Sequence, residues 1–379
     1  MPPPANGQGR LNGCPHPSMQ TTAQLSVSIE RFQRVFWKKL SEGRPPIGVV
    51  NPDIYLPVNY LRRPFARPYV EPEDLRTETV MTDYEFAFAE RPVNCDDWIP
   101  FAAPWRAIPW LEAWCGCPVR FSPGSLRPDP ICDSIEALTG APLPARAEWF
   151  ACLRQQTERL AASAPPDCWV SPTILRGPSD VLAALCGLPQ FLCDLRDAPE
   201  VIAQAAGRIH QLLIRAIDMH FSVVKPKYGG YGHIFGYWAP GPTIALQEDV
   251  LGLCNPNLYR DLFMAYTGEA VRHLGPCVFF HMHSTGFQHI RHVLRIPGLA
   301  GLQMTIEANG PPLADLLPVF REILEQSRLL LFLDHRFEEL SAVLPHLPRE
   351  GLFLAIPATC LKNEAAFLRF TKNHWRADV

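Results

Sequence analysis

From Pro166 onward, short apolar runs alternate with longer amphipathic stretches. That alternation is the signature of repeated βα units. The runs that read as strands are CWVSPTI, HIFGYW, CVFFHMH, LAGLQMTI, RLLLFL and GLFLAI. Between them lie stretches with leucine-rich helical periodicity: SDVLAALCGLPQFLCDL with PEVIAQAAGRIHQLLIRAIDMHFSVV, NPNLYRDLFMAYTGEAVRHLG, GFQHIRHVLRI, PPLADLLPVFREILEQ and RFEELSAVLPHL. Nearer the start, SVSIERFQRVFWKKLSEG has helical spacing and stops at Gly43 before Pro45 and Pro46, and the strand-like PIGVV follows. From Asn51 to about Pro165 the pattern is irregular, and only DDWIPFA can be placed as a strand. The total is eight strands, the number of a (β/α)8 TIM barrel. The expected organisation is a disordered tail over 1–24 and one barrel domain over 25–379, with an irregular, insertion-rich part at about 51–165. A doubly wound open sheet is the competing architecture, but no glycine-rich phosphate-binding motif follows a strand.

Composition narrows the function classes. The chain has 379 residues, 47% hydrophobic and 19% charged, enough for a large core. A net charge of -3 without any Lys/Arg run argues against a nucleic-acid or membrane-surface partner and leaves a small-molecule substrate. The 12 cysteines are scattered rather than densely paired, and the N-terminus has no apolar signal core, so a cytoplasmic protein with reduced thiols is expected. The 40 prolines sit mostly singly, as punctuation between apolar segments.

The candidate chemistry centres on CVFFHMHSTG. Side chains alternate along a strand, so Phe279, His281 and His283 share one face. Both imidazoles stand at the strand's C-terminal end, where a barrel builds its site, and can supply two ligands to one metal ion. The plainer reading is two core histidines satisfied by neighbouring groups. Cys360, in GLFLAIPATC, closes the last strand and is the candidate third ligand; two imidazoles and a thiolate with an open fourth position suit zinc. Glu307 follows LAGLQMTI and is placed as a fourth ligand, as a catalytic or ligand-orienting carboxylate, or as a solvated loop residue. Asp334 and His335 end RLLLFL, as substrate contacts with His335 a catalytic candidate or, for Asp334, a helix cap. Tyr237, Trp238, Gln247 and Asp249 in FGYWAPGPTIALQED suit an apolar substrate pocket with polar handles, with Asp249 placed as a catalytic carboxylate, although core packing explains the aromatics equally well. Arg176 in ILRGPSD is placed to hold a substrate carboxylate or to form an ordinary ion pair. Cys115 and Cys117 lack the two-residue gap of zinc knuckles and redox sites, and His289 and His292, without a third partner, are expected at the surface.

Over about 170–370 the chain resembles the uroporphyrinogen decarboxylase superfamily of (β/α)8 barrels. The resemblance lies in GPSDVLAALCGLPQFLCDLRDAPEVI, QEDVLGLCNPNLYRDLFMAYTGEAV, the strand ending HMHSTG, PPLADLLPVFREIL and IPATCLKNEAAFLRF. The decarboxylases proper carry an arginine-rich, glycine-containing segment at the start of the barrel. Here that place holds IGVVNPDIYLPVNYL, with Arg62 and Arg63 close by but no motif. The zinc-dependent corrinoid methyltransferase branch is the nearer likeness. It carries H-x-C on the strand and a late cysteine; His281 and Cys360 match, while His283 replaces the first cysteine. The resemblance implies zinc or another divalent metal, transfer of a methyl group to a thiol or pterin, and a methylcobamide supplied by a partner corrinoid protein. A decarboxylase or lyase acting on a small carboxylic acid is the alternative within the superfamily. A binding protein that kept the barrel and lost the reaction is the alternative outside catalysis.

Overall fold

The computed structural model describes residues 20–50 and 67–375, apart from 77–79, 83, 85–90, 107, 123–124 and 141. Arg62, Arg63, most of IGVVNPDIYLPVNYL and the first 19 residues of the expected tail lie outside the described residues. Thr21 caps a helix over Thr22–Arg31 reciprocally with Gln24. The helix continues as a π-helical turn over Phe32–Trp37.

Strands β1 (Ile47–Val50), β2 (Phe101–Ala102), β3 (Trp169–Val170), β4 (Ala245–Gln247), β5 (Phe279–His283), β6 (Gly301–Thr305), β7 (Leu329–Phe332) and β8 (Leu352–Pro357) follow in chain order. Regular pairing gives a six-stranded parallel sheet in the order β1-β8-β7-β6-β5-β4, with β2 and β3 as a separate parallel pair. The fold is therefore α/β with a parallel sheet, and among the described residues the regular ladders join six of the eight expected strands in one sheet and the other two as a separate pair. HIFGYW also departs from expectation. Residues Tyr231–Gly232 and Trp238–Ala239 pair as a short antiparallel hairpin, and the strand that joins the sheet is β4. Gly236, at φ +67°, turns the chain there; a Cβ at that position would lie 2.2 Å from the Trp98 ring.

The sheet strands are buried almost throughout, as parallel strands covered on both faces must be. Several long amphipathic stretches are broken where glycine or proline intervenes. SDVLAALCGLPQFLCDL and its continuation form three helices, Pro178–Cys186, Leu188–Asp197 and Pro199–Val223, separated at Gly187 (φ +82°) and before Pro199. The irregular region contains a helix over Ala147–Ser163 and a three-stranded antiparallel sheet of Tyr69–Val70, Val119–Ser122 and Ser125–Pro128.

The N-terminal helix covers the end of the sheet opposite the strand C-termini: Phe32 packs on Phe353 and Phe36 on Phe279. Trp37 Nε1 donates to the Trp238 carbonyl at 2.7 Å. Beside β1, two buried carboxylates take over part of the strand's hydrogen bonding. Asp96 accepts from Val49 N at 2.6 Å and pairs with Arg91; Asp97 accepts from Ile47 N at 3.0 Å and pairs with Arg31 and Arg44. Trp98, fully buried, fills the space next to Gly48, where a Cβ would approach its ring to 2.6 Å.

Candidate metal centre

The parallel register sets the site. On β5, His281 lies beside Gln247 of β4 and Gln303 of β6, so the three side chains stand in one row across the sheet. The Gln303 amide oxygen hydrogen-bonds His281 Nδ1. With that oxygen as acceptor, Nδ1 carries the ring proton and Nε2 keeps its lone pair. Gln303 Nε2 in turn donates to Thr305 Oγ1 at 3.1 Å, which fixes the amide's orientation. The Phe235 ring stacks on His281 at 5.6 Å.

His283 emerges from the same face two residues on. Its Nε2 is 3.3 Å from His281 Nε2, and the two lie 3.7 and 3.6 Å respectively from Asp249 Oδ1. Ligands held about 2.1 Å from a tetrahedral ion stand about 3.4 Å apart, so the three atoms have the spacing of a zinc triad. Among the described residues, Asp249, His281 and His283 are the one group of His, Cys, Asp or Glu whose ligand atoms lie within 4.8 Å of one another. Cys360 does not belong to it. Cys360 follows β8 on a turn, half-buried, with its backbone N–H donating to the Pro357 carbonyl at 2.9 Å. The structure thus joins to the histidines a carboxylate that was expected to be catalytic, in place of the expected thiolate.

Two of the three shifts, those of His281 and Asp249, suit a cation, while that of His283 favours its protonated form until an ion displaces the proton. Burial pushes His281 below its ordinary value, against the pull of Asp249. Pairing with Asp249 raises His283 against its burial. Burial pushes the Asp249 carboxyl up, but the two imidazoles outweigh it and leave the carboxyl below its ordinary value. A neutral imidazole and an ionised carboxylate are the forms that bind a metal.

A shell of further groups holds these three. Gln247 Nε2 donates to Asp249 Oδ2. Asp180, at the start of the helix Pro178–Cys186, accepts from the backbone N–H groups of Asp249 at 3.0 Å and Val250 at 2.8 Å, anchoring the short 3-10 turn that begins with Asp249. Glu307 Oε1 is 3.1 Å from His283 Nδ1, close enough for an ion pair but outside hydrogen-bond geometry, and Thr285 Oγ1 donates to Oε2 at 2.9 Å, which holds the carboxylate beside the second imidazole. Because Asp180 holds both N–H groups, Asp180→Ala is expected to weaken zinc affinity about 10- to 100-fold. Asp180→Asn, which keeps one acceptor oxygen, recovers part of the loss; competition with a chromophoric chelator measures both.

It shares its fold with a methyltransferase. The solved methyltransferase from Methanosarcina mazei is similar over 89% of this chain and 92% of its own, with a TM-score of 0.58 and 14% identity. No family model matches the chain, and no curated protein matches it. Among the described residues, no helix is long and apolar enough to cross a membrane.

The remaining expected site residues divide. Asp334 and His335 follow the end of β7 as solvent-accessible residues, and Asp334 is near enough to His283 for their charges to interact; crowding by the surrounding protein, which partly desolvates its carboxyl, raises it. Arg176 is ion-paired with the buried Glu112 at 2.6 Å, and its backbone bridges to Gln247. Tyr237 and Trp238 are core residues, with the Tyr237 hydroxyl 2.8 Å from Thr243 Oγ1. Cys115 and Cys117 are buried, and burial pushes the Cys115 thiol up to about 12. His289 corrects the expectation most sharply, being 1% exposed rather than superficial. It lines a cavity of about 260 Å³ with His283, Asp249, Glu307 and the buried Glu248. Burial, then the neighbouring Asp180 charge, pushes the Glu248 carboxyl up. Gln303, Asp180 and Glu248 were not singled out from sequence. The readable signal for Gln303 was a lone amide in the apolar run LAGLQMTI.

Proposed function

We propose that this chain is a metal-dependent enzyme of the methyltransferase kind, taking zinc at Asp249, His281 and His283 and passing a methyl group to a thiol or pterin acceptor. The observation that carries the reading is the triad of ligand atoms 3.3 to 3.7 Å apart at the strand ends, opening on a cavity. A (β/α)8 barrel is the fold reading that goes with it. Outside the regular ladders, Asp97 N donates to the Ile47 carbonyl at 2.7 Å, Ile99 N to Gly236 at 2.9 Å and Gly177 N to Gln247 at 2.7 Å, contacts that lead from β1 by way of β2 and β3 towards β4. The Methanosarcina mazei neighbour supports the class of reaction.

When bound, the ion would act as a Lewis acid that depresses the pKa of a coordinated thiol. The chain's own residues do the rest. Gln303 fixes the His281 tautomer whose Nε2 lone pair would be free to hold the ion, Glu307 places its carboxylate beside His283, and Asp180 holds the turn bearing Asp249. The carboxylate in place of a thiolate leaves the centre less electron-rich, which favours substrate ionisation over donation from the protein. In the transfer the acceptor's S–C bond forms as the donor's bond to the methyl carbon breaks, and the acceptor's proton leaves to solvent or to a carboxylate. The methyl donor, a methylcobamide on a corrinoid protein in this reading, arrives from outside the chain.

The carboxy-lyase alternative needs a basic cradle for its substrate. Arg176 is engaged by Glu112, and Arg106, whose charge reaches His281 and Asp334, does not line the cavity. Incubating zinc-loaded protein with free methylcobalamin and a thiol tests the reading. Loss of the methylated cobalt's absorption, with methyl thioether formed in equal amount, is expected. Release of carbon dioxide from small acids without thioether formation would favour the lyase.

A further inference from the structure

The loop after β7 contains a strained residue. Arg336 has φ +64° and ψ 28°, the left-handed region that residues with a Cβ avoid, and it follows the C-terminal end of β7, the end of the sheet that carries the triad. Strain of this kind persists only where surrounding contacts over-determine the conformation.

The guanidinium supplies those contacts. Its Nη2 donates to the carbonyls of Ala308 at 3.1 Å and Gly310 at 2.8 Å, and its Nη1 donates to Glu339 Oε1 at 2.8 Å. Glu339 Oε2 in turn accepts from Leu313 N at 2.7 Å, at the start of the helix Leu313–Gln326. A planar guanidinium can serve two carbonyls and a carboxylate at once, which the compact ammonium of lysine does not match. The ion pair with Glu339 would by itself contribute little; the two carbonyls connect Arg336 to the site.

Both carbonyls belong to turn 307–310, which leaves β6. Gly310 N closes the turn on the Glu307 carbonyl at 3.1 Å, and on the other side Ser284 Oγ, fully buried next to His283, accepts from Glu307 N at 3.2 Å. Residue 310 has no room for a side chain, since a Cβ there would lie 2.2 Å from that Oγ. The turn is thus clamped between the end of β5 and the loop after β7. What it carries is the Glu307 carboxylate, with Oε1 3.1 Å from His283 Nδ1. An imidazole that binds a cation through Nε2 has its proton on Nδ1, so a carboxylate held against Nδ1 strengthens the ligand.

We propose that Arg336 is a positioning residue of the metal centre, holding turn 307–310 so that the Glu307 carboxylate stays against His283. This rests on the metal reading above. It goes beyond that reading by assigning a role to a residue outside both the triad and the cavity lining, and by giving the strained backbone of the β7 loop a reason.

The test measures zinc affinity of the full chain by competition with a chromophoric chelator, and stability by urea titration. It compares wild type, Arg336→Ala, Arg336→Gly, Glu307→Gln and the double variant of Arg336→Ala with Glu307→Gln. Arg336→Ala and Glu307→Gln are each expected to weaken zinc about tenfold, and the double variant no more than Glu307→Gln alone, because the arginine acts through that carboxylate. Arg336→Gly loses the same bonds but relieves the backbone, so it should weaken zinc as much as Arg336→Ala while unfolding at a higher urea concentration. An arginine that only stabilised the loop would move the urea midpoint and leave zinc affinity alone. Affinity unchanged in Arg336→Ala or in Glu307→Gln, losses that multiply in the double variant, or affinity kept in Arg336→Gly overturns the proposal by itself. Failure of the wild type to bind zinc overturns the metal reading and this proposal with it.

Discussion

His281→Ala will lose stoichiometric metal and, with it, methyl transfer. The imidazole is one of three candidate ligands, and its Nε2 stands 3.3 and 3.6 Å from the atoms that complete the triad. Removing it leaves two ligands, and a drop in zinc affinity of well over about 100-fold is expected, more than loss of a supporting group produces. Asp249→Ala should behave in the same way, because that carboxylate is the only charged donor in the triad. Cys360→Ala should keep full metal content, since its thiol lies outside the group. Elemental analysis of the three purified variants, with circular dichroism to show that each is folded, reads the contrast directly. Metal retained in Asp249→Ala and lost in Cys360→Ala would restore the ligand set expected from sequence.

The second large effect is on stability. Asp97 is 1% exposed and accepts from Ile47 N and Ser28 Oγ while pairing with Arg31 and Arg44. Replacing it with alanine leaves a β1 N–H unsatisfied and two guanidinium groups without their counter-charge. Breaking a buried ion pair from one side costs about 3–5 kcal/mol, and the lower figure applies because both arginines keep some contact with water. The pH dependence has a defined direction. Burial pushes the Asp97 carboxyl up, but Arg44 and Arg31 outweigh it and hold it below its ordinary value. Its contribution is therefore fully present above the unfolded carboxyl's pKa, about 3.9, and is lost as the pH falls through the lower folded value. Urea titrations of wild type and Asp97→Ala at neutral pH and near pH 3 measure both: a large gap in midpoint at neutral pH should shrink in acid. An equal gap at the two pH values would contradict the assignment.

What the sequence could and could not show follows from the range of each signal. The pairing of His281 with His283 was legible because strand periodicity is local: two residues apart means one face. The alternation of strands and helices after Pro166 was legible for the same reason. The third ligand was not, because it depends on register between strands distant in sequence; β4 brings Gln247 beside His281 and so carries Asp249 to the triad, while the turn after β8 takes Cys360 elsewhere. β4 itself was hidden by its length of three residues and by the more strand-like aromatic run before it, which Gly236 turns into a hairpin. The burial of His289 was equally invisible, since spacing on a short helical turn does not tell which side faces the cavity. The helix Ala147–Ser163 escaped notice in a stretch whose prolines and tryptophans obscure its apolar face.

X-ray diffraction from crystals of the zinc-loaded full chain, with data on either side of the zinc absorption edge, tests the central claim most directly. The account predicts one anomalous peak bonded to His281 Nε2, His283 Nε2 and an Asp249 carboxylate oxygen, facing the cavity that His289 lines. A protein that takes up no zinc, or a peak ligated by Cys360 without Asp249, would contradict it.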